Sequence, residues 1–296
     1  MIDPLVSICI PTFNGEKFIA EAMESAISQT YPNIEIVVSD DASKDNTLVL
    51  IEQFIEKTRI PIKIYHHQPN GIGANWNNCI KNAKGEYIKF LFQDDILLPT
   101  CVEEMVSVIK KNKKIGLVAC KREFIVDESI NNVETKKWIE NYGDLQHNLK
   151  PSNNSNLIII NSKIFKSDNF FKMPVNKIGE PTTFIFRKEL INKVGYFRED
   201  LNQILDYEFC CRVLKKHKIA IINLKLIRFR LHINQATMVN KLISGGEESV
   251  LKRIIYLDYF WYLNIKNKIE FLKTLNNLDK KFFRYMLNFI NRKRKL

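Results

Sequence analysis

The chain has 296 residues and a formal net charge of +12, with 45% hydrophobic and 26% charged residues. This mixture excludes a disordered chain or a low-complexity filament, and the length suits one large domain with an appendage, or two small ones. Of the net charge, +8 falls between Lys241 and Leu296, where thirteen Lys and Arg face five Asp and Glu, so the basicity belongs to the end of the chain.

The apolar run at residues 5–10, closed by Pro11, predicts a buried strand. Phe18, Ile19, Ala22, Met23, Ala26 and Ile27 recur at helical spacing and predict a helix over 16–29 with one buried face. A strand at 34–39, a helix at 45–57 and a strand at 62–66 follow. Asn70-Gly71-Ile72-Gly73 forms a turn into a helix that runs through Lys84, with Gly85 expected as its left-handed cap. A fourth strand covers 87–92, Pro99 opens another helix, and a fifth strand covers 115–120. Such repeated units predict a parallel, doubly wound α/β sheet whose ligands sit at the carboxyl ends of the strands. Residues 121–177 are less regular. Helices are expected at 189–194 and 205–217, a strand at 219–230, and aromatic-rich helix from Gly246 onward.

Cys9, Cys79, Cys101, Cys120, Cys210 and Cys211 show no metal-ligand spacing and lie mostly in apolar runs. They read as buried, reduced thiols of a cytoplasmic protein. No signal peptide is expected, and no apolar run reaches the roughly 18 residues that cross a bilayer. His66, His67, His147 and His217 need no function, and Trp76 and Trp138 read first as packing residues.

Three acidic clusters follow apolar runs: Asp40-Asp41, Asp94-Asp95 after Gln93, and Asp206 with Glu208. Crowded carboxylates repel unless a cation or hydrogen-bond donors neutralise them, and a hard divalent ion is the usual partner. Helix capping explains any one pair; three in one alternating fold point to chemistry.

The ordered series Val6-Ser7-Ile8-Cys9-Ile10-Pro11-Thr12-Phe13-Asn14, Val37-Val38-Ser39-Asp40-Asp41-Ala42-Ser43, Asn70-Gly71-Ile72-Gly73-Ala74-Asn75-Trp76-Asn77, Lys84-Gly85-Glu86-Tyr87, Gln93-Asp94-Asp95, Gly179-Glu180-Pro181, Leu205-Asp206-Tyr207-Glu208 and Arg230-Leu231-His232 covers about four fifths of the chain. It resembles the inverting nucleotide-sugar glycosyltransferases of family 2. The resemblance implies the glycosyltransferase A fold, a Rossmann-like doubly wound mixed sheet with a C-terminal helical extension. It implies a catalytic domain at 1–237, with a nucleotide-sugar half at about 1–120 and an acceptor half at about 121–237. A basic amphipathic tail would occupy 238–296.

By that resemblance Pro11, Thr12 and Phe13 line the base pocket, and Asp41 accepts from a base ring N–H, which favours a UDP- or dTDP-sugar. Asn77 flanks the nucleotide, Asp94 touches the ribose or sugar, and Arg230, with Arg212, assists the diphosphate. Asp95 and His232 hold Mg²⁺ or Mn²⁺, and Asp206 is the general base. Gln93 replaces the first Asp of the Asp-x-Asp pattern and Leu205 the Glu before the base, so the metal would rest on Asp95 and His232. The implied acceptor is a glycan or lipid-linked glycan of surface polysaccharide. The alternative is a catalytically degenerate protein that binds a nucleotide-sugar or glycan.

In the tail, Phe282, Phe283, Met286, Leu287, Phe289 and Ile290 alternate with Lys and Arg, and Tyr256, Tyr259, Phe260, Trp261 and Tyr262 form a second aromatic patch. The pattern fits a helix lying on the inner face of the cell membrane, or helices that dock on the domain or pair in a homodimer. Nucleic acid is not expected, because no reader motif accompanies the charge.

Overall fold

A computed structural model describes residues 3–149, 156–235 and 247–274. Its centre is a nine-stranded sheet, ordered β3-β2-β1-β4-β8-β6-β9-β5, with β7 paired to β9. The strands are β1 (Val6–Thr12), β2 (Ile34–Asp40), β3 (Ile62–His66), β4 (Tyr87–Phe90), β5 (Ile96–Leu97), β6 (Ile115–Val126), β7 (Leu157–Ile160), β8 (Phe184–Arg187) and β9 (Lys218–Leu231). Strands β1 to β4 pair in parallel, as the alternating pattern predicts. Strand β8 then enters antiparallel between β4 and β6, making the sheet mixed.

The helices are α1 (Ile19–Ile27), α2 (Thr47–Ile55), α3 (Ile72–Asn82), α4 (Cys101–Ile109), α5 (Val133–Tyr142), α6 (Ile191–Val194), α7 (Leu205–Lys216), α8 (Glu248–Tyr259) and α9 (Ile265–Thr274). They cover both faces. Side chains alternate along β1, so Val6, Ile8 and Ile10 join one core with α1, α2 and α4, while Cys9 joins the other with α3 and α7. All six cysteines are buried and free.

The described part of the C-terminal extension is docked on the second core. Tyr256, Tyr259 and Phe260 are buried, with the Tyr259 ring tilted against Phe165 at 4.9 Å and Tyr256 stacked 4.7 Å from Phe271. They therefore pack inward instead of forming an exposed aromatic patch, and only Trp261 and Tyr262 of that group stay open. Glu247 accepts from the backbone N–H groups of Asn202 and Gln203, at 2.9 Å and 2.8 Å, just ahead of α7. The Phe282–Ile290 pattern and the boundary at residue 237 lie outside the described residues. Among the described residues, no helix is long and apolar enough to cross a membrane.

Gly85 is not the left-handed cap that its position suggests. It packs where β4 begins, and a Cβ there would sit 2.6 Å from the Ser7 backbone nitrogen and 2.8 Å from the Leu5 oxygen. Those atoms belong to β1 and the residue just before it, so the space cannot open without parting two central strands. We expect Gly85→Ala to cost about 2–3 kcal/mol, read as a fall of roughly 5 °C in melting temperature.

Candidate active site

The strand order reverses at β1 and β4, and in such sheets the crevice outside the carboxyl ends at that switch point is the ligand site. The loop after β1 carries Phe13, 53% exposed, with its ring free to lie against a ligand. The loop after β4 carries Gln93. The Gln93 side chain accepts from the Phe13 N–H at 2.9 Å and donates to the Phe13 carbonyl at 3.0 Å. Gln93 thus locks the two switch-point loops together, a role that reading it as a missing metal ligand did not reveal. Gly15 leaves the room, since a Cβ there would meet Gln93 Oε1 at 2.3 Å.

Each acidic cluster divides its carboxylates between interior and crevice. Asp40 accepts from Thr12 Oγ1 at 2.9 Å, Ser43 N at 2.9 Å and Ser43 Oγ at 2.6 Å, which fixes the turn after β2. Thr12 is therefore a brace for Asp40, and Pro11 is buried beside it. Asp41 is turned the other way, its backbone N–H bonded to the Thr12 carbonyl and its carboxylate 2.5 Å from His67 Nδ1. The sequence gives His67 no role, and only the pairing of β2 with β3 brings it there.

The second cluster sets Asp94 beside the expected metal pair. Asp95 is 1% exposed and accepts from the Arg230 backbone N–H at 3.0 Å, while its other oxygen has no partner among the described residues. Burial pushes its carboxyl well above the usual range, and the neighbouring Asp94 charge adds to the rise. His232 Nε2 instead meets Asp94 Oδ2, at 2.9 Å. The Phe18 ring abuts the His232 imidazole edge-on, with centroids 5.0 Å apart. A hard divalent ion bound by one or two protein groups and substrate phosphates has bonds of about 2.1 Å, so adjacent ligands stand about 3 Å apart. The Asp94–His232 spacing fits such an ion, and the unpartnered oxygen of Asp95 is a further ligand atom. Among the described residues, no three His, Cys, Asp or Glu side chains cluster for a metal, so substrate oxygens would complete the sphere.

Arg230 is committed elsewhere. Its guanidinium bonds the Asp94 carbonyl at 2.9 Å and Glu21 at 2.8 Å and covers the Phe18 ring at 4.4 Å. It holds the loop that carries Asp94. Arg212 binds Glu208 at 2.9 Å and the Val194 and Tyr196 carbonyls, so it too braces the fold.

Asp206 stands in the first turn of α7, on the same edge as the loops after β4 and β6. Its Oδ1 accepts from the Tyr207 N–H at 2.6 Å and its Oδ2 from Asn176 Nδ2 at 3.2 Å. Burial lifts its carboxyl to about 7, against the pull of the backbone N–H groups and of Arg122. Arg122 is ion-paired with Glu180 and donates to the Tyr142 carbonyl at 3.0 Å. Burial lowers its guanidinium to about 10, and the charges of Asp95 and Asp206 work against that fall.

Asn77 does not face the crevice. It is buried, donates to the Phe197 carbonyl at 2.9 Å and Glu199 at 3.0 Å, and accepts from the Phe197 N–H at 3.0 Å. Its capacity is used in tying α3 to the loop after α6. Trp76 is buried against Phe92 and Phe197, while Trp138 is partly open on α5.

A family model described as glycosyl transferase family 2 matches residues 7–195. An uncharacterized glycosyltransferase of Rickettsia typhi is 30% identical over 235 residues, covering 79% of this chain and 66% of that protein. One of Haemophilus influenzae is 28% identical over 289 residues, covering 93% of this chain and 79% of the relative. The chain spans about two thirds of the length of the Rickettsia typhi relative and 37% of one from Rickettsia felis. Among solved structures, Staphylococcus aureus TarS 1–349 in complex with UDP-GlcNAc aligns with a TM-score of 0.64 and 21% identity, over 85% of this chain and 65% of that one. A Pyrobaculum calidifontis mannosyltransferase in complex with GDP-Man and Mn²⁺ aligns with a TM-score of 0.54 and 15% identity, over 98% of this chain and 81% of that one. At these identities the alignments establish the shared fold.

The bonding of Asn77 separates structure from binding. Asn77→Ala removes the partners of a buried N–H and a buried carbonyl, a loss of about 2–3 kcal/mol. Melting temperature is expected to fall by several degrees, while the activity of the folded protein stays within about twofold. A loss of activity without loss of stability would return Asn77 to the site.

Proposed function

The chain belongs to glycosyl transferase family 2, and we propose that it is an inverting transferase that moves a sugar from a UDP- or dTDP-sugar to a hydroxyl of a glycan or lipid-linked glycan. Family membership supplies the class. The observation that carries the mechanism is Asp206: a carboxyl group raised to about 7 on the edge that also bears Asp41 and the Asp94–His232 pair.

Inversion needs a base on the face of the sugar opposite the leaving group. Asp206 takes the proton from the acceptor hydroxyl as that oxygen attacks the anomeric carbon. The bond from the anomeric carbon to the phosphate oxygen breaks, and its electron pair leaves with the nucleoside diphosphate. A base is most effective when its pKa lies near the working pH, which the burial of Asp206 achieves. Asn176 and the first turn of α7 aim the carboxylate. Asp94 and His232 hold the diphosphate end, and Phe13 and Asp41 the nucleobase. Asp94 and His232 would hold a divalent ion, which would supply charge neutralisation for the departing diphosphate. Glu180 and Arg122 form the wall beside Asp206, where the acceptor approaches.

Asp206→Asn, which keeps size and the Asn176 contact, is expected to lower transfer by about 10²–10⁴-fold with UDP affinity unchanged. In the unaltered protein, the carboxyl must be ionised to accept a proton. The rate should therefore fall about tenfold per pH unit below a midpoint near 7, and this limb should vanish in the variant. Full transfer by Asp206→Asn would exclude it as the base.

Donor hydrolysis, followed by mass spectrometry with UDP-, dTDP- and GDP-sugars, reads the metal arrangement independently. Chelation, Asp94→Ala and His232→Ala should each lower it at least about tenfold. Chelation should have little further effect on either variant. A variant that keeps its full response to chelator would place the ion elsewhere.

A further inference from the structure

We propose that His67 is a positioning residue that fixes the Asp41 carboxylate and thereby sets which nucleobase the protein accepts. This rests on the nucleotide-sugar reading above and specifies how that site selects its donor.

The geometry is local and over-determined. Strands β2 and β3 run in parallel with Asp40 opposite His66, so the next residues, Asp41 and His67, leave the sheet side by side. The His67 N–H donates to the Asp40 carbonyl at 2.7 Å, and its Nδ1 lies 2.5 Å from Asp41 Oδ1. An ionised carboxylate only accepts, so Nδ1 carries the hydrogen in this contact. Both side chains are largely shielded, at 19% and 13% exposure, where a charge-assisted hydrogen bond is stronger than in water. Asp41 is held at its own backbone too, by the 2.9 Å bond from its N–H to the Thr12 carbonyl. Its Oδ2 makes no hydrogen bond among the described residues, and the exposed ring of Phe13 lies one residue past Thr12.

The pocket therefore offers one face that stacks and one oxygen that can only accept, held in a single orientation. Uracil, thymine and guanine present a ring N–H between or beside carbonyl groups and satisfy that oxygen. Cytosine and adenine present a ring nitrogen lone pair there and are repelled. Without His67 the Asp41 side chain gains rotamers, and the discrimination weakens even though Asp41 remains. A rejected base leaves a shielded carboxylate unpaired, which is the kind of penalty that yields strong selectivity.

The test is calorimetry of UDP and CDP with the full chain and with His67→Ala and His67→Asn. The asparagine amide nitrogen falls near the place of Nδ1 and keeps a donor for Asp41. The unaltered protein should bind UDP more tightly than CDP. His67→Ala should weaken UDP about tenfold and CDP less than twofold, so that the preference collapses. His67→Asn should restore UDP binding to within about threefold. For donor hydrolysis, KM should rise in His67→Ala while kcat at saturation stays within about twofold. Equal losses for both nucleotides would show a merely structural histidine and overturn the proposal, as would no loss for UDP. A chain that binds none of UDP, dTDP and GDP would overturn the nucleotide-sugar reading itself. Nucleotide binding with an unchanged preference in His67→Ala overturns the role of His67 alone.

Discussion

Asp95 holds a carboxyl group at 1% exposure between the ends of β4 and β9, and the geometry of the crevice follows from how that group is kept there. The pairing of β5 with β9 stops at Ile96 opposite Arg228. The Arg230 N–H would have no strand partner on that side, and Asp95 Oδ1 takes it. A side chain thus prolongs the ladder where the backbone has turned away. Burying the group is costly, and the fully buried Lys89 offsets part of that cost by its charge. Lys89 itself donates to the Phe90 and Thr182 carbonyls, binding β4 to the segment that leads into β8. With Asp95 fixed, Asp94 is forced to the opposite side of the turn, and the end of β9 delivers His232 to it.

The same division recurs in all three acidic clusters. Asp40 closes the turn after β2 and Asp41 faces out; Asp95 seals β9 and Asp94 faces out; Glu208 pairs with Arg212 and Asp206 stands at the crevice. Reading the clusters as crowded charge that demands a cation leaves only Asp94-Asp95 as a candidate for one. In the other two, backbone N–H groups, hydroxyls, a histidine and an arginine supply the neutralisation. In the first two clusters, one carboxylate braces the turn that presents the other.

This division explains what was legible in the sequence. Apolar periodicity placed the first strands and helices because each buries a continuous face, and the motifs placed the acidic clusters just after strands. Periodicity does not say which of two adjacent aspartates points inward: that depends on a partner far along the chain, Arg230 for Asp95 and His67 for Asp41. Asn77 and Arg230 carried the right chemistry for a nucleotide, but Phe197 and Glu21, both distant in sequence, had already engaged them. Strand β8 and the docking of Glu247 at α7 were hidden for the same reason. Each is a pairing across the fold, with no local pattern to announce it. Gly85 shows the limit most plainly: a cap and a close approach both demand glycine, and only the position of β1 tells them apart.

Burial raises the carboxyl of Asp206, and the placement of Arg122 lets that rise stand. A guanidinium paired directly with Asp206 would hold that carboxyl low, leaving a poor base at neutral pH. Arg122 pairs with Glu180 instead, and its charge reaches Asp206 only as a secondary pull. Glu180 is set in place by the turn before it. Asn176 accepts from the Ile178 and Gly179 N–H groups, both at 3.0 Å, and Gly179 adopts a φ of 123°. A Cβ at Gly179 would meet Thr183 Oγ1 at 2.4 Å, so the turn requires glycine on two counts. Asn176 also donates to Asp206 through its side-chain nitrogen. One asparagine therefore shapes the turn that places Glu180 on Arg122 and steadies the carboxylate which that pairing leaves free. The Gly-Glu-Pro segment acts on Asp206 from a distance, by pairing with the cation that would otherwise pull its carboxyl lower.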